Sequence, residues 1–310
     1  EGPNTMQLGQ SATFIARAYN QAGCELLDKI ATWGITPEQY CGFTPQDVCS
    51  ARLTAYAPGI GTLTGNINEI YKACAITIIP GTVTKLAITS GIQTIPAGMV
   101  SADVIVQAQN EYGGPVELTS PMTITVTSDS LMSRLSSSVS GSIWTGGTGT
   151  AAYVIPAGTS SVRFLYKYNG TVTAAITITV NAESLTAATQ TITITALGTA
   201  TAGDIVADDG KTSVTLTAGD MSGDGFIEIG VNPTPDPGGN LPADLTRVNQ
   251  TLRRIEIIGA GLSPGATVTV TIPYSEVNLM GNSEDSLQIY RLGSGSTTWE
   301  KVSAISRDTI

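Results

Sequence analysis

Histidine is absent from this sequence of 310 residues, and charged residues are scarce, at 13% of the chain. Without imidazole there is no Ser-His-Asp or Cys-His nucleophile, no His-ligated zinc and no His-ligated haem. The 25 acidic and 15 basic residues give a net charge of −10, and the basic residues form no cluster. Because nucleic-acid binding requires Lys or Arg opposite phosphates, this balance excludes it. We expect a protein that is not an enzyme and needs no cofactor.

Long apolar runs and helical patterns are also missing. No run approaches the ~20 apolar residues of a membrane helix, so no membrane span is expected in this chain. Apolar residues at helical spacing are nearly absent, and the best candidate, residues 25–29, is too short to stand alone. About one residue in seven is threonine. Few charges and many hydroxyl groups together indicate an uncharged, hydroxyl-covered surface.

Cysteine is confined to Cys24, Cys41, Cys49 and Cys74, with none in the rest of the chain. The spacing lacks CxxC pairs, so two disulfides in an oxidising compartment fit better than zinc. Cys41 and Cys49 bracket a short loop and can close it, leaving Cys24 to pair with Cys74. The open alternative is Cys24–Cys49 with Cys41–Cys74. A first residue other than methionine, Glu1, fits a removed signal peptide, and we expect an extracellular or cell-surface location.

What the sequence has in abundance is two-residue alternation of β-branched residues between Gly and Pro turns. The alternation places Ile or Val on one face of a strand and Thr on the other, which suits a sheet with one buried and one solvated face. Many short strands of this kind are typical of β-sandwiches. The clearest runs are 75–79, 122–126, 175–180 and 266–272.

Two stretches repeat the same order of strands and turns. In the first, the residues concerned are 14–19 (FIARAY), Gly23, Trp33 and 53–59 (LTAYAPG). In the second, they are 104–110 (VIVQAQN), Tyr112, Gly113, 155–158 (IPAG) and 164–167 (FLYK). Both stretches resemble bacterial immunoglobulin-like domains of the invasin, intimin and surface-layer type.

The last part of the chain carries a different signature. Its residues are 211–219, 226–229, 268–274, 286–291 and 299–302. They resemble a secreted β module of large, multidomain surface proteins, in which a further strand usually follows the tryptophan-bearing one. The two resemblances imply an all-β chain of tandem immunoglobulin-like β-sandwich domains. We place the domains at 1–80, which holds the cysteines, 81–183 and 184–310.

A short acidic segment resembles the opening of a calcium loop. Asp220 and Asp224 are spaced as calcium ligands, and Gly225 permits a sharp turn. A complete loop would carry Glu at its twelfth position, which is Val231, whereas Glu228 falls at the ninth. An ordinary acidic turn is therefore favoured over a Ca²⁺ site.

Surface loops offer the remaining candidate sites. Trp144 lies in the Ser/Gly-rich segment 136–150 and is a candidate contact residue for a glycan or a protein, whereas Trp33 and Trp299 lie in strand contexts typical of a core. Asn169 and Asn249 begin Asn-x-Thr sequons and are candidate glycosylation sites. No pair of carboxylates indicates catalysis.

The function predicted from these features is structural. We expect a subunit of a surface filament, pilus-like fibre or surface layer that binds copies of itself or other surface proteins. The segment 2–9 fits an edge strand of its own sheet, or a strand donated to a neighbour. The alternatives are an adhesin that recognises glycan or protein through end loops, and the accessory region of a secreted hydrolase.

Overall fold

The computed structural model describes residues 1–26, 29–136, 144, 149–232, 252–274, 288–292 and 297–302. Within these ranges the chain is almost entirely β-structure, and a 3₁₀ helix at Glu38–Tyr40 is the one helical segment. The expected all-β, β-sandwich fold class is confirmed. Buried hydrophobic residues form three separate clusters that follow one another along the chain. No helix in the described ranges is long and apolar enough to cross a membrane.

The first module packs a four-stranded sheet against a three-stranded sheet. Its strands are β1 (Thr5–Gln7), β2 (Ser11–Ile15), β3 (Thr32–Thr36), β4 (Cys41–Pro45), β5 (Ser50–Ala55), β6 (Gly59–Ile67) and β7 (Ile70–Ile79). The strand orders are β1-β7-β6-β3 and β2-β5-β4. Phe14, Leu53 and Ile76 lie in the core between the sheets. Successive side chains of a strand point to opposite faces, so the apolar residues that alternate in the sequence are the ones that enter this core.

The N-terminal strand completes the first module's own sheet. Strand β1 pairs in parallel with β7, placing Thr5 opposite Thr77 and Gln7 opposite Ile79. The backbone N–H of Leu8 continues the pairing by donating to the carbonyl of Ile79 at 2.8 Å. Of the two interpretations of this segment, the structure shows the edge strand, and strand donation gains no support from it.

The second module contains the largest sheet. Its strands are β8 (Lys85–Ile88), β9 (Thr94–Pro96), β10 (Val104–Gln109), β11 (Met122–Ser128), β12 (Ser133–Leu135), β13 (Thr150–Ile155), β14 (Ser161–Phe164), β15 (Tyr166–Tyr168), β16 (Ala174–Asn181) and β17 (Ala188–Thr195). A five-stranded sheet, β13-β11-β16-β17-β9, faces a three-stranded sheet, β14-β10-β8, with the pair β12-β15 beside them. Ile124, Phe164 and Ile178 are fully buried between these layers.

The predicted boundary between the second and third modules is wrong by one strand. We placed it at 183/184, but β17 pairs along its whole length with β16, from Ala188 opposite Val180 to Ile194 opposite Ala174. Ile192 and Ile194 lie in the second module's core. The run 188–195 alternates like every other strand in the chain, so its pattern indicates a strand but not which sheet the strand joins.

The third module has smaller sheets. Its described strands are β18 (Gly203–Val206), β19 (Ser213–Leu216), β20 (Gly225–Val231), β21 (Arg253–Gly259), β22 (Thr269–Thr271), β23 (Tyr290–Arg291) and β24 (Glu300–Lys301). They form the sheet β18-β19-β22 and the pairs β20-β21 and β23-β24. Ile205, Leu216 and Met221 belong to its core. The end of the chain, 303–310, lies outside the described residues.

Candidate assembly surfaces and interdomain joints

The joint between the first and second modules is built on the side chain of Asn110, which follows β10. The residue is completely buried. Its Nδ2 donates two hydrogen bonds of 2.8 Å, to the carbonyls of Leu8 and Pro80. Its Oδ1 accepts from the backbone N–H groups of Tyr112 at 3.0 Å and Gly114 at 2.9 Å. One amide therefore ties together the first module, the connecting segment and a turn of the second, with both donors and both lone pairs used.

The backbones of the two modules meet at this joint. A Cβ atom on Gly114 would overlap the carbonyl group of Leu8. Gly9 has a φ of +82°, and a Cβ there would lie 2.9 Å from the carbonyl oxygen of Tyr112. Two glycines on opposite sides thus allow an approach that side chains would prevent. The backbones of the two modules are therefore in direct contact at this joint.

The joint between the second and third modules is built on Lys167, in β15. Its side chain is 0% exposed, and its Nζ lies 3.0 Å from Oδ1 of Asp208 in the third module. The same ammonium donates to the carbonyl of Val206 at 2.7 Å. The ring of Trp144 lies over it, 4.9 Å from Nζ to the ring centroid, which is a cation–π contact. A cation of the second module is therefore held by an anion of the third.

The carboxylate of Asp208 binds three side chains of the second module. Besides Lys167, its carboxylate accepts from Arg134 Nε at 3.0 Å and from Asn169 Nδ2 at 2.7 Å. Burial acts to raise the pKa of Asp208, but the Lys167 ammonium and these hydrogen bonds outweigh it, so the pKa lies below its ordinary value of 3.8. Burial lowers the pKa of Lys167, and Asp208 opposes that effect. The ion pair with Asp208 is thus the main effect that opposes the lowering of the Lys167 pKa.

A second ion pair stabilises the loop that presents Asp208. The next residue, Asp209, receives hydrogen bonds from Thr212 and lies 3.2 Å from Nη2 of Arg253. Burial acts to raise the pKa of Asp209, but hydrogen bonds from Thr212 and Lys211 and the charge of Arg253 lower it below 3.8. Both carboxylates of this loop are therefore engaged when ionised.

Acid is expected to weaken the second joint. The folded-state pKa values of Asp208 and Asp209 lie below 3.8, so the unfolded chain binds protons first as the pH falls. The stability that these carboxylates contribute is present above about pH 4 and is lost below it. We expect the thermal midpoint of the third module to fall between about pH 5 and about pH 3. The double variant Asp208→Asn, Asp209→Asn should show a flatter profile, and an equally steep one would contradict this origin.

A small cleft lies at the second joint. It has a volume of about 210 Å³, and its lining includes Arg134, Asn169, Asp208 and Glu228. Sites for small molecules usually measure about 300–1,000 Å³ and are mostly apolar. Arg134 and Asn169 bind Asp208 across the joint, and Glu228 pairs with Arg254 within the third module. The polar groups of the cleft are thus already engaged, which is typical of a seam between modules.

The outward face of the second module's five-stranded sheet carries no charged residue in its described strands. Alternation turns Ile124, Ile178 and Ile192 into the core and leaves hydroxyl groups outside. We call this surface the threonine face. It comprises sixteen outward residues, eleven of them threonine: Thr94, Pro96, Thr123, Thr125, Thr127, Thr150, Ala152, Val154, Ala175, Thr177, Thr179, Asn181, Thr189, Thr191, Thr193 and Thr195.

Charges of the first two modules lie on other surfaces. The outward positions of the first module's four-stranded sheet are also uncharged within its described strands, and they include the exposed Ile60 and Tyr71. Arg52 lies outward on the opposite sheet of that module. Lys85 and Arg163 lie outward on the second module's three-stranded sheet. Each sandwich therefore has one neutral outer face and one charged outer face.

The prediction that Trp144 is an exposed contact residue is wrong. The indole is 7% exposed and covers the ammonium of Lys167. The reason is the buried lysine, whose charge attracts the π face of the ring and whose surroundings exclude water. The neighbours of Trp144 at 137–143 and 145–148 lie outside the described residues.

The cysteines are free thiols in the structure, and one predicted pairing is wrong for this fold. Cys41 lies opposite Ala55 in the β4–β5 pair, whereas Cys49 precedes Ala55 by six residues, about 20 Å along the strand. A disulfide needs Cα atoms within about 7 Å, so Cys41–Cys49 cannot form. The predicted set that combines it with Cys24–Cys74 is therefore wrong for this fold. The pairing Cys24–Cys49 with Cys41–Cys74 stays a prediction.

Two of the candidate calcium ligands, Asp220 and Glu228, bind different partners in the structure. The Asp220 carboxylate accepts hydrogen bonds from the backbone N–H and hydroxyl of Thr217, at 2.6 and 2.8 Å. Glu228 instead pairs with Arg254 at 2.8 Å. Among the described residues, which include Asp224, no three acidic or thiol groups are placed to hold a metal ion. The Asp220 carboxylate thus closes its own turn, and the Ca²⁺ assignment stays a prediction.

The two sequons have different outcomes. Asn169 uses its Nδ2, the atom that a glycan would occupy, to bind Asp208 in the second joint. Glycosylation there would replace this contact, and the assignment stays a prediction. Asn249 lies outside the described residues.

Comparisons with known proteins find only partial likeness. No family model matches the chain, and neither does any curated protein. Domains 4 and 5 of the S-layer protein SbsC are 19% identical over 59% of this chain and 82% of that one, with a TM-score of 0.26. The adhesin InvE of Yersinia pseudotuberculosis is 14% identical over 71% of this chain and 62% of its own, with a TM-score of 0.28. A β-glycosidase from Bacteroides vulgatus is 13% identical over 53% of this chain and 24% of its own, with a TM-score of 0.30.

Likeness at this level supports no conclusion about function. A function for this chain has to be argued from its own joints and surfaces.

Proposed function

We propose that the chain is a non-enzymatic structural subunit of an extracellular surface assembly, in which stacked modules keep a fixed geometry. The observation that supports this most directly is that both joints are made by buried polar groups with satisfied partners. Neighbouring domains in one chain move relative to each other by default. Buried hydrogen bonds and an ion pair oppose that motion here, because separating the modules would leave these groups without their partners. Asn110 fixes the first joint through four hydrogen bonds, and Lys167 with Asp208 fixes the second.

The ionisable groups with shifted pKa values support a structural role. Strong shifts often mark catalytic groups, but ion-pair networks produce them too. Burial lowers the pKa of both Lys167 and Arg253, and each is paired with an aspartate at a joint or its loop. These groups are already bound to one another and have no role left to play on a substrate.

The structural role is favoured over the adhesin alternative for a specific reason. The adhesin interpretation rested on Trp144 as an exposed aromatic on an end loop, and that ring is buried against Lys167. Tyr112 is an exposed ring of the second module that lies outside its five-stranded sheet. The outer face of that sheet consists mainly of hydroxyl groups and carries no aromatic ring in its described strands. Such a surface fits lateral packing better than stacking on a sugar.

Electron microscopy and sedimentation of the purified chain at physiological ionic strength test the proposal. We expect ordered fibres or lattices in which the modules of each subunit keep one relative orientation. A chain that stays monomeric at every concentration reached, or that shows freely rotating modules, would overturn it.

A further inference from the structure

We propose that the threonine face of the second module is the surface through which two copies of this chain bind each other. The inference rests on the proposed function, since it identifies the contact by which subunits would assemble side by side. It rests independently on three features of the face: its register, its chemistry and the position of the charges around it.

The hydroxyl groups of the face form ordered rows across the sheet. Thr150 lies opposite Thr127, Thr127 opposite Thr179, and Thr179 opposite Thr189, so four adjacent strands contribute one row. A second row pairs Thr177 with Thr191. Neighbouring strands lie about 4.8 Å apart, and outward residues on one strand repeat about every 6.6 Å. The result is a grid of short side chains with no bulky group standing above it.

The chemistry of the face favours an uncharged partner surface that both donates and accepts hydrogen bonds. An anionic polymer would need cations, and a basic protein would need carboxylates, but the strands of the face offer neither. Carbohydrate recognition commonly uses exposed aromatic rings, which these strands lack as well. A hydroxyl group both donates and accepts, so a threonine grid can bind another threonine grid. An uncharged surface that both donates and accepts hydrogen bonds meets those requirements, and the same face on a second copy is such a surface.

A two-fold arrangement satisfies this requirement without any second binding site. In an isologous contact, the same patch faces itself, so every threonine row meets a row of the partner. No charged side chain of the described strands is desolvated when such faces close, which avoids the main cost of polar interfaces. Asp129 follows β11 at the margin of the face, where its carboxylate accepts from the backbone N–H of Thr177 at 3.1 Å.

The charged residues of the opposite sheet lie far from a contact between two threonine faces. Lys85, Asp103 and Arg163 of the second module lie at that sheet, so like charges of two copies could repel each other only across both sandwiches. Packed sheets are about 10 Å apart, so charges on two face-to-face copies are separated by about 30 Å across two sandwiches and their interface. The Debye length at physiological salt is about 8 Å, so this repulsion is largely screened.

The size of the face predicts a weak dimer. Five strands about 4.8 Å apart and about six residues long cover roughly 500 Å². Stable complexes bury about 800 Å² on each partner. We therefore expect reversible, concentration-dependent pairing, which becomes strong only when many contacts act together in an assembly.

The test compares two matched double variants by sedimentation equilibrium. Thr125→Lys with Thr191→Lys places two charges on β11 and β17, two strands apart on the threonine face. Ala87→Lys with Ser161→Lys places two charges on β8 and β14, two strands apart on the opposite outer face. Thermal unfolding and circular dichroism confirm that each variant is folded. We expect self-association to weaken roughly tenfold or more in the first variant, because like charges meet in the contact, and to persist in the second.

The outcomes separate this inference from the proposed function. If the Thr125→Lys, Thr191→Lys variant assembles as the wild-type chain does, the threonine face is not the contact between copies, and the proposed structural function still stands. Equal loss in both double variants overturns it too, because added charge alone would then explain the effect. A wild-type chain that never self-associates overturns both proposals. Binding of a neutral glycan on an array, abolished by the first variant alone, would assign the face to a different partner.

Discussion

Replacing Asp208 by alanine is expected to destabilise the second joint by about 3 kcal/mol, measured by urea unfolding. The substitution leaves the Lys167 ammonium, which is 0% exposed, without its counter-ion. Breaking a buried ion pair from one side typically costs about 3–5 kcal/mol. The lower end applies because the Asp208 side chain is 45% exposed and part of its contribution is already screened by water.

The change in pH dependence identifies the cause of this loss. Burial already lowers the pKa of Lys167, and in Asp208→Ala only the smaller effect of the Asp209 charge still opposes it. The unfolded chain then binds a proton that the folded chain releases, so stability should rise with pH until the ordinary lysine pKa of 10.5 is passed. A loss of stability that is the same at neutral and alkaline pH would contradict the buried charge as its origin.

Lys167→Met is the matched control for Asp208→Ala. Methionine keeps the length of the side chain and removes the charge, and replacing a buried ionic group by an apolar one of similar volume often costs little. We expect this variant to lie within about 1 kcal/mol of the wild type, and Lys167→Met to restore most of the stability lost in Asp208→Ala. A double variant as unstable as Asp208→Ala alone would show that the aspartate acts through Arg134 and Asn169 instead.

The two-residue alternation of apolar residues predicts where the strands of this protein lie, but not which strands pair with each other. The runs 122–126 and 175–180 lie in β11 and β16 because a period of two puts every second residue on the same face. The same periodicity does not indicate which sheet a strand joins, because pairing depends on residues far away in the chain. The strand β17 was assigned to the wrong module for this reason.

The two joints between modules could not be predicted from the sequence, because each depends on a single residue whose sequence neighbours are common ones. Lys167 lies between Tyr166 and Tyr168, and all three are buried, so this strand does not alternate. A lone lysine in an apolar run is the sequence signal for a buried cation, but the run does not reveal its counter-ion 41 residues later. Asn110 before a Gly-Gly turn is equally ordinary, since Asn caps turns throughout proteins. Trp144 was misassigned because the Ser/Gly-rich residues around it suggested a loop, while its partner Lys167 is distant in sequence.

Replacing Asn110 by alanine is expected to release the first module from the second. The variant leaves the carbonyls of Leu8 and Pro80 and the N–H groups of Tyr112 and Gly114 without their partners in a buried site. At about 1 kcal/mol for each hydrogen bond, the loss of unfolding free energy is about 4 kcal/mol. Small-angle scattering should show a broader distribution of distances between the modules. The control is Gln109→Ala, because the side-chain amide of Gln109 donates to Oε1 of Gln107 on the same strand and its loss should change stability by about 0.5 kcal/mol or less.

Asn110→Asp distinguishes the loss of bonds from the loss of volume. The carboxylate keeps the shape of the amide but turns an acceptor towards the carbonyl oxygens of Leu8 and Pro80, and it buries a charge. Burial and these oxygens favour the protonated acid, so its pKa in the folded chain should be raised. Its stability should therefore be greatest at acid pH and fall as the pH rises, opposite in sign to the effect of Asp208. If Asn110→Asp matched the wild type at neutral pH, the amide would not be the group that holds the first joint, and the close approach at Gly114 alone would have to account for its geometry.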